Sequence, residues 1–317
     1  MTSPTPARTR VALIGGGRSC EHEVSLASAA GVADALAGSH DVVRLTIDRV
    51  GAWRDAHDRP IGLAAAVQVL GTCDVVLPVV HGPGGEDGTL AALCELAGVA
   101  YVGSGVGAGA LAMDKWATKL VAHAIGLATT PGVLLTAATA SAYRFTHPVV
   151  VKPVAAGSSR GVSMVRGHEE LAPALTAALA LGTRVLVEDV VVGREVDLAV
   201  LGTADGARMV SPALEIVCDG LFDYDTKYGG QADFRIPAAL DAVDRTALEA
   251  SALAAYDALG CRGVARVDFF LTADGPVLNE VNTVPGFTRT SQVPRMFAAA
   301  GLSYAELLAA LVADART

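Results

Sequence analysis

The 317-residue chain is long enough for two or three packed units, since single cores stop growing near ~250–300 residues. Hydrophobic residues make up 52%, much of that alanine, while aromatics reach only 5%; such a composition suits helices packed on sheets and argues against a disordered or fibrous chain. The formal net charge of −9 disfavours nonspecific nucleic-acid binding, and no run of roughly 18 apolar residues reads as a membrane span. The five cysteines are odd in number and contain no CxxC pair, so reduced thiols of a cytoplasmic protein are expected rather than disulfides or zinc. The polar start MTSPTPARTR lacks the apolar region of a secretory signal.

In chain order, RVALIGG (10–16) predicts a strand ending in glycines, and residues 23–37 a helix. DVVRLTID (41–48) and CDVVLPVVHG (73–82) predict further strands, 88–97 a helix, and VAYVGSG (99–105) a strand and turn. This alternation implies a parallel sheet with helices on both faces, and draws attention to the loops at 15–23 and 81–88. From about residue 113 the pattern changes to a helix (114–125), two β-segments around a Gly/Ser turn (146–165), a helix (168–180) and a buried strand, RVLVEDVV. More strands follow (EVDLAVLG, ARMVSPALEIV), then a polar loop at 219–236, a helix (240–259), a strand pair and a terminal helix (303–314).

The glycines at 15–17 lack the G-x-G-x-x-G spacing of a dinucleotide site, and no Walker A pattern occurs, which excludes a P-loop ATPase. The stretch ARVDFFLTADGPVLNEVN (265–282) predicts a hairpin turned at Ala273–Gly275. Period-two alternation puts Arg266 with Asp268, and Glu280 with Asn282, on one face. Asp268, Glu280 and Asn282 then offer hard oxygen ligands suited to Mg²⁺, with Arg266 beside them to stabilise developing negative charge. A solvated face with ordinary ion pairs is the alternative. Only four lysines occur (Lys115, Lys119, Lys152, Lys227) against 20 arginines. Lysine kept at a few places reads either as a need for compact phosphate-binding charge or as chance. KPVAAGSSRG (152–161) has the small residues of a phosphate-covering loop, and HGPGGEDG (81–88) reads as a functional turn with a His and two acids.

Taken together, GGRSCEHEVSLAS (16–28), HGPGGEDGTL (81–90), YVGSG and LAMDKWATK within 101–119, VVVKPVAAGSSRGVS (149–163), VLVEDVVVGREVDLAVLG (185–202), FDYDTKY (222–228) and LNEVNTVPGFT (278–288) resemble the motif series of the D-alanine–D-alanine ligases. The resemblance spans about residues 10–314. It implies an α/β (α+β) ATP-grasp fold: a Rossmann-like domain (1–110), a central ATP-grasp subdomain (111–190) and a C-terminal ATP-grasp domain (191–317) with a mobile loop at 219–236. It also implies ATP, two Mg²⁺ ions that Mn²⁺ can replace, D-alanine as substrate, and a homodimer with no nucleic-acid or membrane partner. The product would be the dipeptide used for peptidoglycan precursors.

Carried over residue by residue, the resemblance assigns Lys115 and Lys152 to the α- and β-phosphates, with Ser158 and Ser159 on the covering loop. Glu188 and Glu195 would bond adenine and ribose, Val191 would pack near the purine, and Lys227 would reach the transferring phosphate. Asp268, Glu280 and Asn282 would hold the metals, while Arg266 and the Gly286 N–H would stabilise the tetrahedral oxyanion. Glu21 would pair with the first D-alanine's ammonium and His81 would sit near its carboxylate. Ser158, Glu21 and Tyr228 would latch the loop. Ser291 would receive the second carboxylate. Cys20, Arg160, Arg289 and Gln292 depart from the family's usual residues. Gln292 replaces an apolar residue expected against the second substrate's methyl group. From it we expect a more polar second subsite that accepts D-serine or another polar D-amino acid, as an antibiotic-pathway or D-Ala–D-Ser relative would.

Overall fold

The first apolar run forms β1 (Arg10–Gly16), buried from its second residue onward because a parallel strand is covered on both faces. It lies between β2 (Asp41–Ile47) and β5 (Val75–Pro78), parallel to both. The antiparallel pieces β3 (Trp53–Arg54) and β4 (Pro60–Ile61) extend this sheet in the order β4-β3-β2-β1-β5. Its helices are α1 (His22–Leu36), α2 (Leu63–Leu70) and α3 (Thr89–Ala97). This computed structural model describes residues 8–217 and 233–315. The strand expected over 99–105 does not form. Tyr101 makes an isolated bridge to Val76, and the left-handed Gly98 and Gly103 on either side cut it short.

The helix expected at 114–125 is preceded by another, α4 (Val106–Met113), and begins at Lys115 as α5 (Lys115–Ala124). The break is Asp114, whose extended backbone and Oδ1, accepting from Ala117 N–H at 3.0 Å, cap α5. An antiparallel sheet follows in the order β6-β9-β7-β8: β6 (Gly132–Thr136), β7 (Val149–Pro153), β8 (Ser163–Val165) and β9 (Arg184–Asp189), backed by α6 (His168–Leu179).

The third sheet contains β10 (Arg194–Gly202), β11 (Arg208–Val210), β12 (Leu214–Val217), β13 (Asp233–Arg235), β14 (Gly263–Thr272) and β15 (Gly275–Asn282). The single strand expected over 207–217 is broken between β11 and β12, where Pro212 removes a ladder donor. The end of the loop expected at 219–236 is instead the edge strand β13, paired with β12. α7 (Ala242–Ala258) packs on one face of this sheet. No single described helix is long and apolar enough to cross a membrane.

One core joins the first and third sheets. It runs from Val11 and Leu13 of β1 through Leu307 and Leu308 of α9 (Tyr304–Asp314) and Phe297 of α8 (Gln292–Ala299) to Ala199 and Leu201 of β10. Because Phe297 is completely buried in that seam, Phe297→Ala is expected to destabilise the protein by about 3–5 kcal/mol, read from the urea midpoint. A loss under about 1 kcal/mol would contradict the shared core.

Candidate active site

The face of the third sheet that continues this seam carries charge. Asp197 of β10 stands opposite Asp268 of β14, and Asp268 opposite Glu280 of β15, so three carboxylates lie side by side across adjacent strands. The next row is Ala199, Arg266 and Asn282. Like charges directly across a ladder repel, so cations must intervene. Arg266 Nε and Nη2 donate to Asp268 Oδ1 and Oδ2, each at 2.7 Å, and Nε lies 3.5 Å from Asp197 Oδ2. Burial alone would weaken the guanidinium's charge, but Asp268 and Asp197 outweigh it and hold its pKa above the ordinary value. Asn282 Nδ2 donates to Asp268 Oδ2 at 3.0 Å. Lys115 Nζ sits 2.9 Å from Glu280; burial lowers its pKa, but Glu280 more than compensates.

Two cavities meet at this face, with Ser158 and Glu280 lining both. The first, of about 450 Å³, lies between the second and third sheets. Lys115, Lys152, Ser158, Ser159, Glu188, Val191 and Glu195 all line it. Glu188 is buried between two lysines: Lys152 Nζ is 2.6 Å from Oε2 and Lys119 Nζ 2.6 Å from Oε1, the latter off the axis of a hydrogen bond. Lys119 also donates to the Thr130 carbonyl at 2.5 Å. Burial lowers its pKa and Glu188 only partly offsets that. Ser158 and Ser159 both take left-handed backbone conformations, a strain that ordinary residues adopt where surroundings enforce it. Ser158 Oγ donates to Glu21 Oε1, and a Cβ at the preceding Gly157 would strike the same carboxylate.

The second cavity, of about 480 Å³, is lined by Glu21, His81, Glu86, Arg266, Asn282, Gly286, Ser291 and Gln292 among others. His81 is buried, with Nδ1–H donating to the Val284 carbonyl at 2.9 Å and Nε2 3.2 Å from Ser28 Oγ. A carbonyl can only accept, which assigns the Nδ1 proton. Ser28 Oγ also accepts from Phe287 N–H at 3.2 Å, tying α1, the 81–88 turn and the 284–287 loop together. Ser291 immediately precedes α8 without a side-chain capping bond to it; its Oγ instead accepts from Thr288 N–H at 3.0 Å. Glu86 accepts from Gly82 N–H at 3.0 Å. Burial, and then the charge of Glu21, push the Glu86 carboxyl up to about 8.

The expected site residues among the described ones thus gather on these two cavities, except Asp268, which lines neither and is engaged by Arg266 and Asn282. Lys227 and Tyr228 lie outside the described residues. Gln292 lines the second cavity, and its amide is engaged on both sides: Oε1 accepts from Arg266 Nη1 at 2.7 Å, and Nε2 donates to Asp197 Oδ2 at 3.1 Å. Three contributors went unassigned in the sequence: Lys119, Glu86 and Asp197. Their signals were present, as the one lysine of four left without a role, an acid of the HGPGGEDG turn, and a lone acid inside the apolar run VDLAVLG.

A carboxyl whose folded pKa stands above its unfolded value of ~4.3 stabilises the fold fully below that value. Its contribution fades as pH rises toward 8. In the metal- and nucleotide-free protein, the melting temperature of Glu86→Gln should therefore gain on wild type between pH 6 and pH 9, by roughly 2–4 °C per kcal/mol recovered. A constant gap across that window would contradict the raised carboxyl.

Comparison with known proteins agrees with this geometry. The family description D-ala D-ala ligase N-terminus matches residues 10–69 and 54–104, and D-ala D-ala ligase C-terminus matches residues 126–313. A D-alanine–D-alanine ligase of Mycolicibacterium smegmatis is 41% identical, over 98% of this chain and 97% of that protein. One of Nocardia farcinica is 41% identical, over 97% of each. Among solved structures, the VanG D-Ala:D-Ser ligase of Enterococcus faecalis aligns with a TM-score of 0.85 at 34% identity, covering 97% of this chain and 99% of that one. The D-alanine–D-alanine ligase of Coxiella burnetii aligns with a TM-score of 0.81 at 28% identity, covering 98% and 94%. The chain belongs to the D-alanine–D-alanine ligase family.

Proposed function

We propose that this protein joins two D-alanines at the expense of ATP. ATP transfers its terminal phosphoryl group to the carboxylate of the first D-alanine, giving an acyl phosphate and ADP. The amine of the second then attacks that carbonyl, loses a proton, and inorganic phosphate leaves as the peptide bond forms. The observation that carries this reading is the meeting of the two cavities at Ser158 and Glu280. One is lined by Lys115 and Lys152, the other by Arg266 and Gly286. A nucleotide in the first and amino acids in the second would bring their reacting groups together at that junction.

On this reading Lys115 and Lys152 exchange their carboxylate partners for phosphate oxygens, while Glu188, Glu195 and Val191 bind the nucleoside end. Arg266 and the Gly286 N–H stabilise the tetrahedral oxyanion. Glu21, fixed by Ser158, takes the first ammonium, and Ser291 takes the second carboxylate. His81, held by Val284 and Ser28, faces the first substrate. The donor set of Asp268, Glu280 and the Asn282 carbonyl fits Mg²⁺. They are hard oxygens set on two adjacent strands, and Glu280 borders both cavities where phosphate and amino acid would meet. Bound there, magnesium would neutralise phosphate charge. We place the three units at residues 1–110, 111–190 and 191–317, each built around one of the three sheets. The described cysteines are all free thiols, in keeping with a cytoplasmic enzyme.

The test supplies ATP, Mg²⁺ and a panel of D-amino acids while following phosphate release and product mass. D-Alanine-dependent phosphate release with D-alanyl-D-alanine as the main product is expected. Absence of release with D-alanine would overturn the reading, and a mixed product with D-serine in excess would move the assignment to D-Ala–D-Ser ligation. In the same assay Arg266→Met should lower kcat by about 10²–10³-fold.

A further inference from the structure

We infer that Gln292 is a positioning residue for Arg266, holding the guanidinium plane against the reacting centre through a relay to Asp197; this rests on the ligase reading above. A guanidinium has five N–H donors. Asp268 takes those on Nε and one on Nη2, which grips a single edge of the plane. Gln292 Oε1 takes one on Nη1 at 2.7 Å, fixing the opposite corner. The donors that remain, on Nη1 and Nη2, are the ones Arg266 can offer an oxyanion.

The orientation of the amide is forced. Its oxygen meets a donor-only guanidinium and its nitrogen a carboxylate, Asp197 Oδ2 at 3.1 Å, so a flipped amide would lose both bonds. All three groups are buried, where a donor or acceptor left without a partner is costly. Asp197 faces Asp268 across the ladder, so the Gln292 N–H also relieves the carboxylate repulsion behind Arg266. Gln292 opens α8 directly after Ser291. The relay therefore joins the placement of Arg266 to the segment that lines the second-substrate end of the cavity.

The test compares Gln292→Met, Gln292→Glu, Asp197→Asn and the double variant Gln292→Glu/Asp197→Asn. Gln292→Met removes acceptor and donor at similar volume. It should lower kcat about 10-fold or more while KM for ATP and for both D-alanines stays within about 2-fold. Gln292→Glu sets two carboxylates against each other and should lower kcat and the melting temperature together. The double variant restores the bond in reverse, with the amide introduced at position 197 donating to the carboxylate introduced at position 292. It should return kcat to within about 3-fold of wild type. A Gln292→Met variant with raised KM for D-alanine and unchanged kcat would make Gln292 a substrate contact and overturn the inference. Recovery of melting temperature without recovery of kcat would reduce the relay to a structural role and also overturn it. If Gln292→Met does not fold, the charge-exchange pair decides. If wild type shows no D-alanine-dependent turnover, the ligase reading itself has failed; a wild type that turns over while Gln292→Met and Gln292→Glu match its kcat overturns the relay alone.

Discussion

The third sheet sets Asp197, Asp268 and Glu280 directly opposite one another on adjacent strands, on the face that looks toward the first sheet. Three carboxylates in one row would push the strands apart unless each met a compensating charge or donor. Arg266 lies on the neighbouring row and grips Asp268 with two bonds, Lys115 reaches across from α5 to Glu280, and Gln292 comes from α8 to Asp197. The packing of α5 and α8 around the sheet is thus tied to the electrostatics of one hairpin and its neighbour. The shared apolar seam supplies the rigidity that holds these groups at fixed distances.

The same principle explains the second cluster. Glu188 stands between Lys119 and Lys152, so two buried lysines have one carboxylate between them. Around Glu188 two lysines face one carboxylate, while on the other side burial, and then the charge of Glu21, raise the Glu86 carboxyl. A polyanionic nucleotide suits the first side and cationic ammonium groups or a divalent ion suit the second. Complementarity to the reactants is built into how each half is left incompletely balanced.

Much of this was legible in the sequence, and the reason is periodicity. The hairpin at 265–282 alternates charged and apolar residues, so its charged face could be read on paper, though not the bulge after Asp268 that sets Glu280 opposite it; the scarcity of lysine drew attention to all four, and the family resemblance assigned Lys115 and Lys152. What could not be read depends on neighbours distant in the chain. Asp197 lies far before Asp268 in the chain and joins it only through the β10–β14 register. Gln292 read as a lone polar residue against a substrate, because nothing local reveals that its amide spans a guanidinium and a carboxylate. Glu188 looked like a nucleotide contact, yet its lysine clamp arises from three separate elements. The left-handed backbone of Ser158 and Ser159 was not legible either, since glycine is the usual occupant of such conformations. Strand errors had local causes: glycines around Tyr101 and the proline at 212.

The claim on which the rest hangs is that the lysine–carboxylate pairs hold places for phosphate. A crystal structure with a non-hydrolysable ATP analogue and magnesium tests it most directly. Lys115 Nζ, 2.9 Å from Glu280 here, is expected to leave that carboxylate for a phosphate oxygen while Arg266 stays on Asp268 and Gln292. An intact Lys115–Glu280 pair, with the phosphates bound elsewhere, would contradict it.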